Sequence, residues 1–307
     1  MFKQNENIWG IDLGGTKIEG AILKSREEPE VLYRERTLTE ADLGYDHVLS
    51  QIDKLIANME AEAGYRPKNL GICTPGTLIP SNGLMKNSNA DALNGKPMQK
   101  DLAKMMGMNV EMANDANCFA LAETKLGIVK QKYPTAKVVF GVIMGTGVGG
   151  GLVVNGQIVG GHHGIGGEWG HNYLHGFEGR QCYCGKQGCN ESVLSGPSLE
   201  WFYEKNTGVK RTMKEIVARA RLGSDQVAVE TLDRLTSGFA VAASVLVNIV
   251  DPDVIVIGGG LGNIPELYDK GVNNIYKNVF DHEFNAPVVK PLLGDSAGVF
   301  GAAFLNA

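Results

Sequence analysis

What the chain lacks narrows its function first. It has no basic excess: 29 Lys and Arg face 34 Asp and Glu, a formal net charge of -5 at pH 7. A general nucleic-acid binder needs a basic surplus or stripe, so that class is set aside. An anionic ligand is still allowed, because backbone amides at helix starts hold phosphate without many positive side chains. No apolar run reaches bilayer length. The longest, Phe239 to Val250, carries Ser244 and Asn248 and reads as a buried helix. The first six residues are mostly polar and show no secretory leader, so a cytoplasmic protein without a membrane partner is expected. Cysteine is scarce and odd in number, five in 307 residues, which argues against a disulfide framework.

What is present describes an ordinary soluble chain, 43% apolar and 21% charged, long enough for about two domains. Cys73 and Cys118 sit in apolar surroundings and read as small buried hydrophobes. The other three cysteines do not. Between Gly166 and Ser195 the chain spells H-x10-C-x-C-x4-C through His171, Cys182, Cys184 and Cys189, with His175 as a second candidate histidine. Three cysteines and one histidine in one short loop are what a structural zinc ion requires, and such a shell leaves no open coordination position for catalysis. Spacing alone does not choose between the two histidines. Glu168 and Glu191 flank the set and are left to face something else.

Two glycine-threonine turns follow apolar runs. Ile8 to Asp12 leads into Leu13-Gly14-Gly15-Thr16-Lys17, and Lys137 to Met144 leads into Gly145-Thr146-Gly147-Val148-Gly149. Each reads as strand, tight turn, strand. The glycines let backbone amides approach an anion, and Thr16 and Lys17 add donors. One such turn is a weak signal. Its recurrence about 130 residues later reads as an internal structural repeat, able to grip one polyphosphate from two sides.

Periodicity places a helix from His47 to Gly64, a strand at Leu70–Cys73, and a turn-rich stretch from Ser81 to Lys96 with Asn87 and Asn89 in the second arm of a hairpin. A strand at Val110–Ala113 stops at Asn114-Asp115, with a helix from about Cys118 to Leu126. Asn114 or Asp115 could cap that helix; equally, a carboxylate at the carboxyl end of a strand lies where open α/β sheets bind ligands. Helices are expected over Met213–Arg221 and Gln226–Val250, the latter with an apolar face through Leu232, Leu235, Phe239, Ala242, Leu246 and Ile249. Val254–Ile257 reads as a strand buried on both faces, followed by Gly258-Gly259-Gly260, a helix from about Pro265, and a closing small-residue helix, Val299–Leu305.

Taken together, the two turns, Asn114-Asp115-Ala116-Asn117, Gly-Glu-Trp-Gly-His at 167–171, the cysteine segment 182–189 and Gly258–Gly260 resemble the ROK (repressor, open reading frame, kinase) sugar kinases, in the same order and over nearly the whole chain. The fructokinase (mannokinase) branch is the nearer likeness, through Lys86-Asn87-Ser88-Asn89, Leu93-Asn94-Gly95 and 182–189. The N-acetylglucosamine kinase branch is close behind, through Met144 to Leu152.

The resemblance implies an α/β protein of the actin-like ATPase (ribonuclease H-like) fold. It has two α/β domains around a central cleft, residues 1–118 with about 292–307, and 119–291. The implied cofactors are ATP, Mg2+ and a structural Zn2+, and the implied assembly is a homodimer. Asp12 would help hold the magnesium. Gly14, Gly15, Thr16, Lys17, Gly145, Thr146 and Gly147 would cradle the phosphates, with Gly258, Gly259 and Gly260 against adenosine. Asp115 would be the general base for a hexose hydroxyl, that on C6. Gly76, Asn89, Asn114, Glu168, His171 and Glu191 would line the sugar. The resemblance also selects His171 as the zinc histidine, one ring nitrogen on the metal and the other toward the sugar. Fructose is the expected substrate, with N-acetylglucosamine or glucose as alternatives. A sugar-responsive repressor, the non-enzyme alternative, needs a DNA-binding module ahead of Asp12, and only a few residues precede that turn.

Overall fold

The computed structural model describes residues 2–4, 6–281 and 283–306; Met1, Asn5 and Ala307, which the expected first-domain ranges include, and His282, within the expected second domain, lie outside the described residues. Chain compactness divides the protein into Met1–Pro134, Gly151–Gly166 and Leu292–Ala307 as one unit, and Thr135–Gly150 with Gly167–Pro291 as the other.

The chain opens with strands β1 (Ile8–Leu13), β2 (Lys17–Leu23) and β3 (Val31–Leu38), an antiparallel meander turned at Gly14–Thr16. Helix α1 (Tyr45–Ala63) buries Val48, Ile52, Leu55, Ile56 and Met59, and ends on Gly64 in the left-handed region, φ 80°. Strand β4 (Asn69–Thr74) pairs parallel with β1. A small hairpin, β5 (Thr77–Leu78) with β6 (Met85–Lys86), precedes α2 (Met98–Met106) and β7 (Asn109–Asn114), which pairs parallel with β4. The first sheet thus has the order β3-β2-β1-β4-β7. Helices α3 (Asp115–Lys125) and α4 (Ile128–Lys132) follow.

Strand β8 (Val138–Met144) turns at Gly145–Gly147 into β9 (Val148–Val154), and Asn155-Gly156, both at positive φ, turns β9 into β10 (Gln157–Ile158). After the cysteine loop come α5 (Asn190–Leu194), α6 (Gly196–Thr207), α7 (Met213–Leu222), α8 (Gln226–Val250), β11 (Val254–Gly258), α9 (Lys270–Ile275) and β12 (Val288–Val289). The second sheet has the order β10-β9-β8-β11-β12, with β8, β11 and β12 parallel. Position for position, this repeats the first: a meander, then two more parallel strands. The duplicated sheet is the actin-like ATPase architecture that the resemblance implies, and it accounts for the internal repeat of the turn motif. The last helix, α10 (Ala297–Ala303), returns to the first unit and packs on β1, β4 and α3.

Several sequence-based boundaries move. A domain boundary after residue 118 would cut α3, one continuous helix packed against α10; the compact units divide after Pro134 instead. That helix begins at Asp115 rather than Cys118, because Asn114 caps it: its side-chain oxygen accepts from Asn117 N at 2.9 Å. Asn87 and Asn89 lie just past β6, not in it, since Asn87 adopts a left-handed φ of 57° that ends the strand. The stretch from Pro265 is not one helix. Two 3-10 turns, Gly260–Asn263 and Pro265–Leu267, precede α9, and Tyr268 Oη closes the first by donating to Gly262 O at 2.7 Å. Helix α8 is long and apolar enough by composition to cross a bilayer, but Leu235, Phe239 and Ala243 are buried among α6, α7 and α9. Ile249, expected on the same face, is 74% exposed in the final turn.

One buried carboxylate ties the first unit together. Glu123 on α3 is 0% exposed and accepts backbone N–H bonds from Ile128 at 2.8 Å, Leu293 at 2.9 Å and Leu292. Charged hydrogen bonds of this kind contribute about 1.5–3 kcal/mol each, and orphaning the amides adds a desolvation cost. Glu123→Ala is therefore expected to destabilise the protein by about 2–4 kcal/mol in urea unfolding.

Candidate active site

In the first unit the candidate residues gather at the carboxyl ends of β1, β4 and β7, where open parallel sheets present ligand-binding groups. Asp12 stands in register with Glu19 on β2 and Cys73 on β4, and Thr74 with Asn114 on β7. Glu19 is buried and neutralised by Arg34 and by Arg36, the latter at 2.7 Å. Asp115 opens α3, and its Oδ1 accepts from Ala116 N at 2.8 Å.

The two carboxylates repel. Burial, with the negative charges of Asp115 and Glu19 nearby, pushes Asp12 up to about 6, although a bond from the Cys73 thiol and the charge of Lys17 oppose it. Asp115 keeps a solvent-open face yet is surrounded closely enough by protein that desolvation raises its pKa too. A carboxylate raised chiefly by burial and further by neighbouring negative charge is a place where a divalent cation would favour the ionised form, so Asp12 fits a magnesium ligand.

The first turn is exposed at Gly15, Thr16 and Lys17 and braced from behind by Thr39, whose N donates to Thr16 O at 3.0 Å and whose Oγ1 donates to Gly14 O at 2.7 Å. Thr39 carries no sequence signal, since a lone threonine after a strand is unremarked. Gly76 is buried so tightly that a Cβ would lie 2.6 Å from Lys86 O. This places its backbone beside the segment leading to Asn89, which is exposed. Asn94 fixes that segment by bonding Ser88 N and Ser88 O, both at 2.9 Å.

In the second unit a cavity of about 920 Å³ is lined by Gly145, Thr146 and Gly260, by Pro197 of α6, and by Lys214 and Arg221 of α7. One cavity thus joins the second threonine turn to the glycine triplet. Gly147 continues the turn, and Gly258 and Gly259 lead into Gly260; Gly259, at φ 81°, lies so close to β8 that a Cβ would be 2.3 Å from Met144 O. The α6 and α7 walls are not legible in the sequence. Helix α7 reads as an ordinary amphipathic helix with a Thr212/Glu215 capping box, and only packing turns it toward the glycines.

The cysteine loop gathers His171, Cys182, Cys184 and Cys189 with their ligand atoms all within 4.8 Å of one another. Tetrahedral ligands at about 2.3 Å from one ion lie about 3.8 Å apart, so the set fits zinc. His175 is outside it and meets Tyr173 edge-on, with ring centroids 6.5 Å apart. Cys182 N donates to Lys186 O at 2.9 Å, closing the knuckle between the first two cysteines and the third. Burial, with Cys184 and Cys189 alongside, pushes the Cys182 thiol up to about 12; a divalent ion would reverse this by binding the thiolate.

His171 Nδ1 faces Cys182 Sγ at 3.8 Å, and Nε2 meets the Tyr183 hydroxyl at 2.9 Å. Sequence reasoning misses Tyr183, because nothing in the spacing of the loop singles it out. Glu168 and Glu191 add to the burial that raises its phenol, so these four residues form one polar group. Arg234 of α8 holds the loop to the core, sandwiched between Phe177 at 5.5 Å and Phe202 at 4.6 Å and donating to Glu178 O. Removal of metal by a chelator, or Cys184→Ser, is expected to lower the melting temperature and release about one zinc per chain, checked by metal analysis and thermal melts.

The ROK family model matches residues 8–307. N-acetyl-D-glucosamine kinase of Aliivibrio salmonicida is 35% identical over 307 residues, covering 97% of this chain and 99% of that protein. The Vibrio cholerae protein of the same name is 36% identical over 308 residues, with 97% and 99% covered. A ROK hexokinase from Thermus thermophilus superposes with a TM-score of 0.86 at 29% identity, covering 97% of each chain. A ROK glucokinase from Streptomyces griseus, solved with glucose and AMPPNP, shares the fold, with a TM-score of 0.74 at 23% identity over 97% and 98%. With its duplicated sheet, paired threonine turns and loop of three cysteines and a histidine, and a family model that spans it almost end to end, this chain belongs to the ROK family.

Proposed function

We propose that this ROK protein is an ATP-dependent sugar kinase that phosphorylates N-acetyl-D-glucosamine. The observation that carries the kinase reading is the single cavity shared by the Gly145–Thr146 turn and Gly260, a phosphate cradle and an adenosine platform in one pocket. Substrate choice follows the curated relatives, which are named N-acetyl-D-glucosamine kinases at 35–36% identity over nearly full length. Fructose, favoured by the short motifs around Asn89 and the cysteines, takes second place. Those motifs are short and local, in the cysteine loop and the segment after β6, whereas the similarity to the relatives runs over nearly the whole chain.

In this reading Asp115 accepts the proton of the C6 hydroxyl. The hydroxyl oxygen bonds the γ-phosphorus, the bond from that phosphorus to the β-bridging oxygen breaks, and ADP leaves. Asp12 would hold the Mg2+ that accompanies ATP, which would supply neutralisation of phosphate charge, and Thr16 and Thr146 would donate to phosphate oxygens, each from its own turn. Glu168, His171, Glu191, Asn114 and Asn89, with the backbone at Gly76, orient the sugar. Alignment and charge neutralisation supply most of the catalysis in phosphoryl transfer, so one positioned base suffices. Cys182, Cys184, Cys189 and His171 would hold a zinc ion whose contribution is structural, since four protein ligands fill a tetrahedral shell.

A coupled ATP-consumption assay over N-acetylglucosamine, N-acetylmannosamine, glucose, mannose and fructose tests the assignment. N-acetylglucosamine is expected to give the highest kcat/KM; fructose in first place would reverse the substrate choice, and turnover of none would remove the kinase reading. Asp115→Asn is expected to cut kcat by about 10²–10⁴ while sugar affinity, measured by calorimetry, stays within a few-fold. Because Asp12 titrates near 6, its ligand form is lost as pH falls through that value, so apparent Mg2+ affinity should weaken between pH 7.5 and 5.5. Asp12→Asn should flatten that dependence in a Mg2+ titration of rate.

A further inference from the structure

Glu191 is expected to read a sugar hydroxyl, yet both its oxygens are already engaged. Oε2 accepts from Val148 N at 3.1 Å, the first residue after the Gly145–Gly147 turn. Oε1 takes the Cys182 thiol at 3.6 Å. Nothing separates the carboxylate from the turn: a Cβ on Gly147 would lie 2.8 Å from Glu191 Oε2. The same segment holds the turn a second time, because Gly196 N donates to Gly145 O at 2.8 Å. The span from 191 to 196 is itself stiff, with Ser198 Oγ and Ser195 N both bonded to Glu191 O, at 2.9 and 3.1 Å. The phosphate turn and the cysteine loop are therefore the two ends of one short braced element within the second unit.

Resting on the kinase reading above, we propose that Glu191 is a positioning residue that couples sugar binding to nucleotide binding, its two oxygens joining the sugar group of the cysteine loop to the Gly145–Val148 turn. A carboxylate is one planar group, so a hydroxyl donated to Oε1 fixes the direction in which Oε2 faces. When Cys182 binds metal as a thiolate it has no proton to give, and Oε1 is left for that hydroxyl. Sugar thus holds the Val148 amide, and with it the turn, in the geometry that receives phosphate. Linkage makes the effect reciprocal: nucleotide must tighten sugar by the same factor, typically about 5- to 150-fold.

Glu191→Gln separates this role from simple sugar contact. A glutamine amide has its acceptor oxygen at only one of the two positions and an NH2 at the other, so it cannot accept from the Val148 amide at one end and from a sugar hydroxyl at the other as the carboxylate does. The experiment is calorimetric titration of AMPPNP into the metal-loaded full-length protein with and without saturating N-acetylglucosamine, repeated with the variant. Sugar should tighten AMPPNP binding by about 5-fold or more in the wild type and by less than about 2-fold in Glu191→Gln. Equal factors in both proteins, or no factor in a wild type that binds both ligands, would overturn the coupling. A wild type that binds neither ligand would overturn the kinase reading, and the inference with it.

Gly147→Ala gives a second route should Glu191→Gln fail to fold. A methyl 2.8 Å from Oε2 displaces the carboxylate from the nucleotide side. Sugar affinity measured without nucleotide should then fall several-fold, although the substitution lies in the phosphate turn. Unchanged sugar affinity in that variant would count against the coupling.

Discussion

The first unit depends on a helix with no room for side chains beneath it. Helix α10 lies so close to β1 and β4 that a Cβ at Gly10 would be 2.2 Å from Val299 O, and one at Gly71 would be 1.7 Å from Ala302 O. On its other side Gly301 meets α3 backbone at Cys118 O, 1.9 Å from a built Cβ. Interiors are packed to crystal density, so such a helix fixes the spacing of its neighbours rigidly. Gly298 extends the constraint to chemistry, since a Cβ there would lie 2.3 Å from Asp12 Oδ2. The distance between Asp12 on β1 and Asp115 at the head of α3, and hence their mutual repulsion, follows from what α10 leaves out.

The second unit is organised by a different device. Its Gly145–Gly147 turn lies more than forty residues before Glu191 and Gly196, yet both hold the turn directly. A metal-clipped loop costs little to order once loaded, because the ion supplies the folding free energy that a short irregular segment lacks. Arg234, stacked between Phe177 and Phe202, adds a fixed contact from α8 that no metal controls. The loop is thus held at one end by its own ligands and at the other by the core.

On substrate choice, short motifs and full-length similarity point to different sugars. Asn87, Ser88, Asn89 and the Cys-Tyr-Cys-Gly-Lys-Gln-Gly-Cys run point toward fructose by local likeness. In the structure Asn94 spends its side chain on Ser88, and Cys182 to Cys189 form a knuckle around a prospective metal. Asn94 and the cysteines thus hold local backbone. Full-length similarity to N-acetyl-D-glucosamine kinases samples the whole wall of the pocket and so carries more information about its shape.

Local patterns were legible where the physics is local. The strand-turn-strand repeats, α1 with its Gly64 cap, α8 from Gln226 to Val250, and the spacing of the three loop cysteines all depend on neighbours within a few residues, and the sequence by itself determined them. The recurrence of the same turn after the same apolar run showed an internal repeat, and the ordered set of motifs, through its likeness to the ROK kinases, pointed to the actin-like fold. Tertiary structure alone decided the rest. Thr39 behind the first turn, Lys214 and Arg221 beside Gly145 and Gly260 in one cavity, and Glu123 against Leu292 and Leu293 meet residues well beyond their own element, and Tyr183 meets His171 only through the fold of the loop. Those meetings are set by how layers pack, and no periodicity in the sequence encodes a contact between residues that only the packed core brings together.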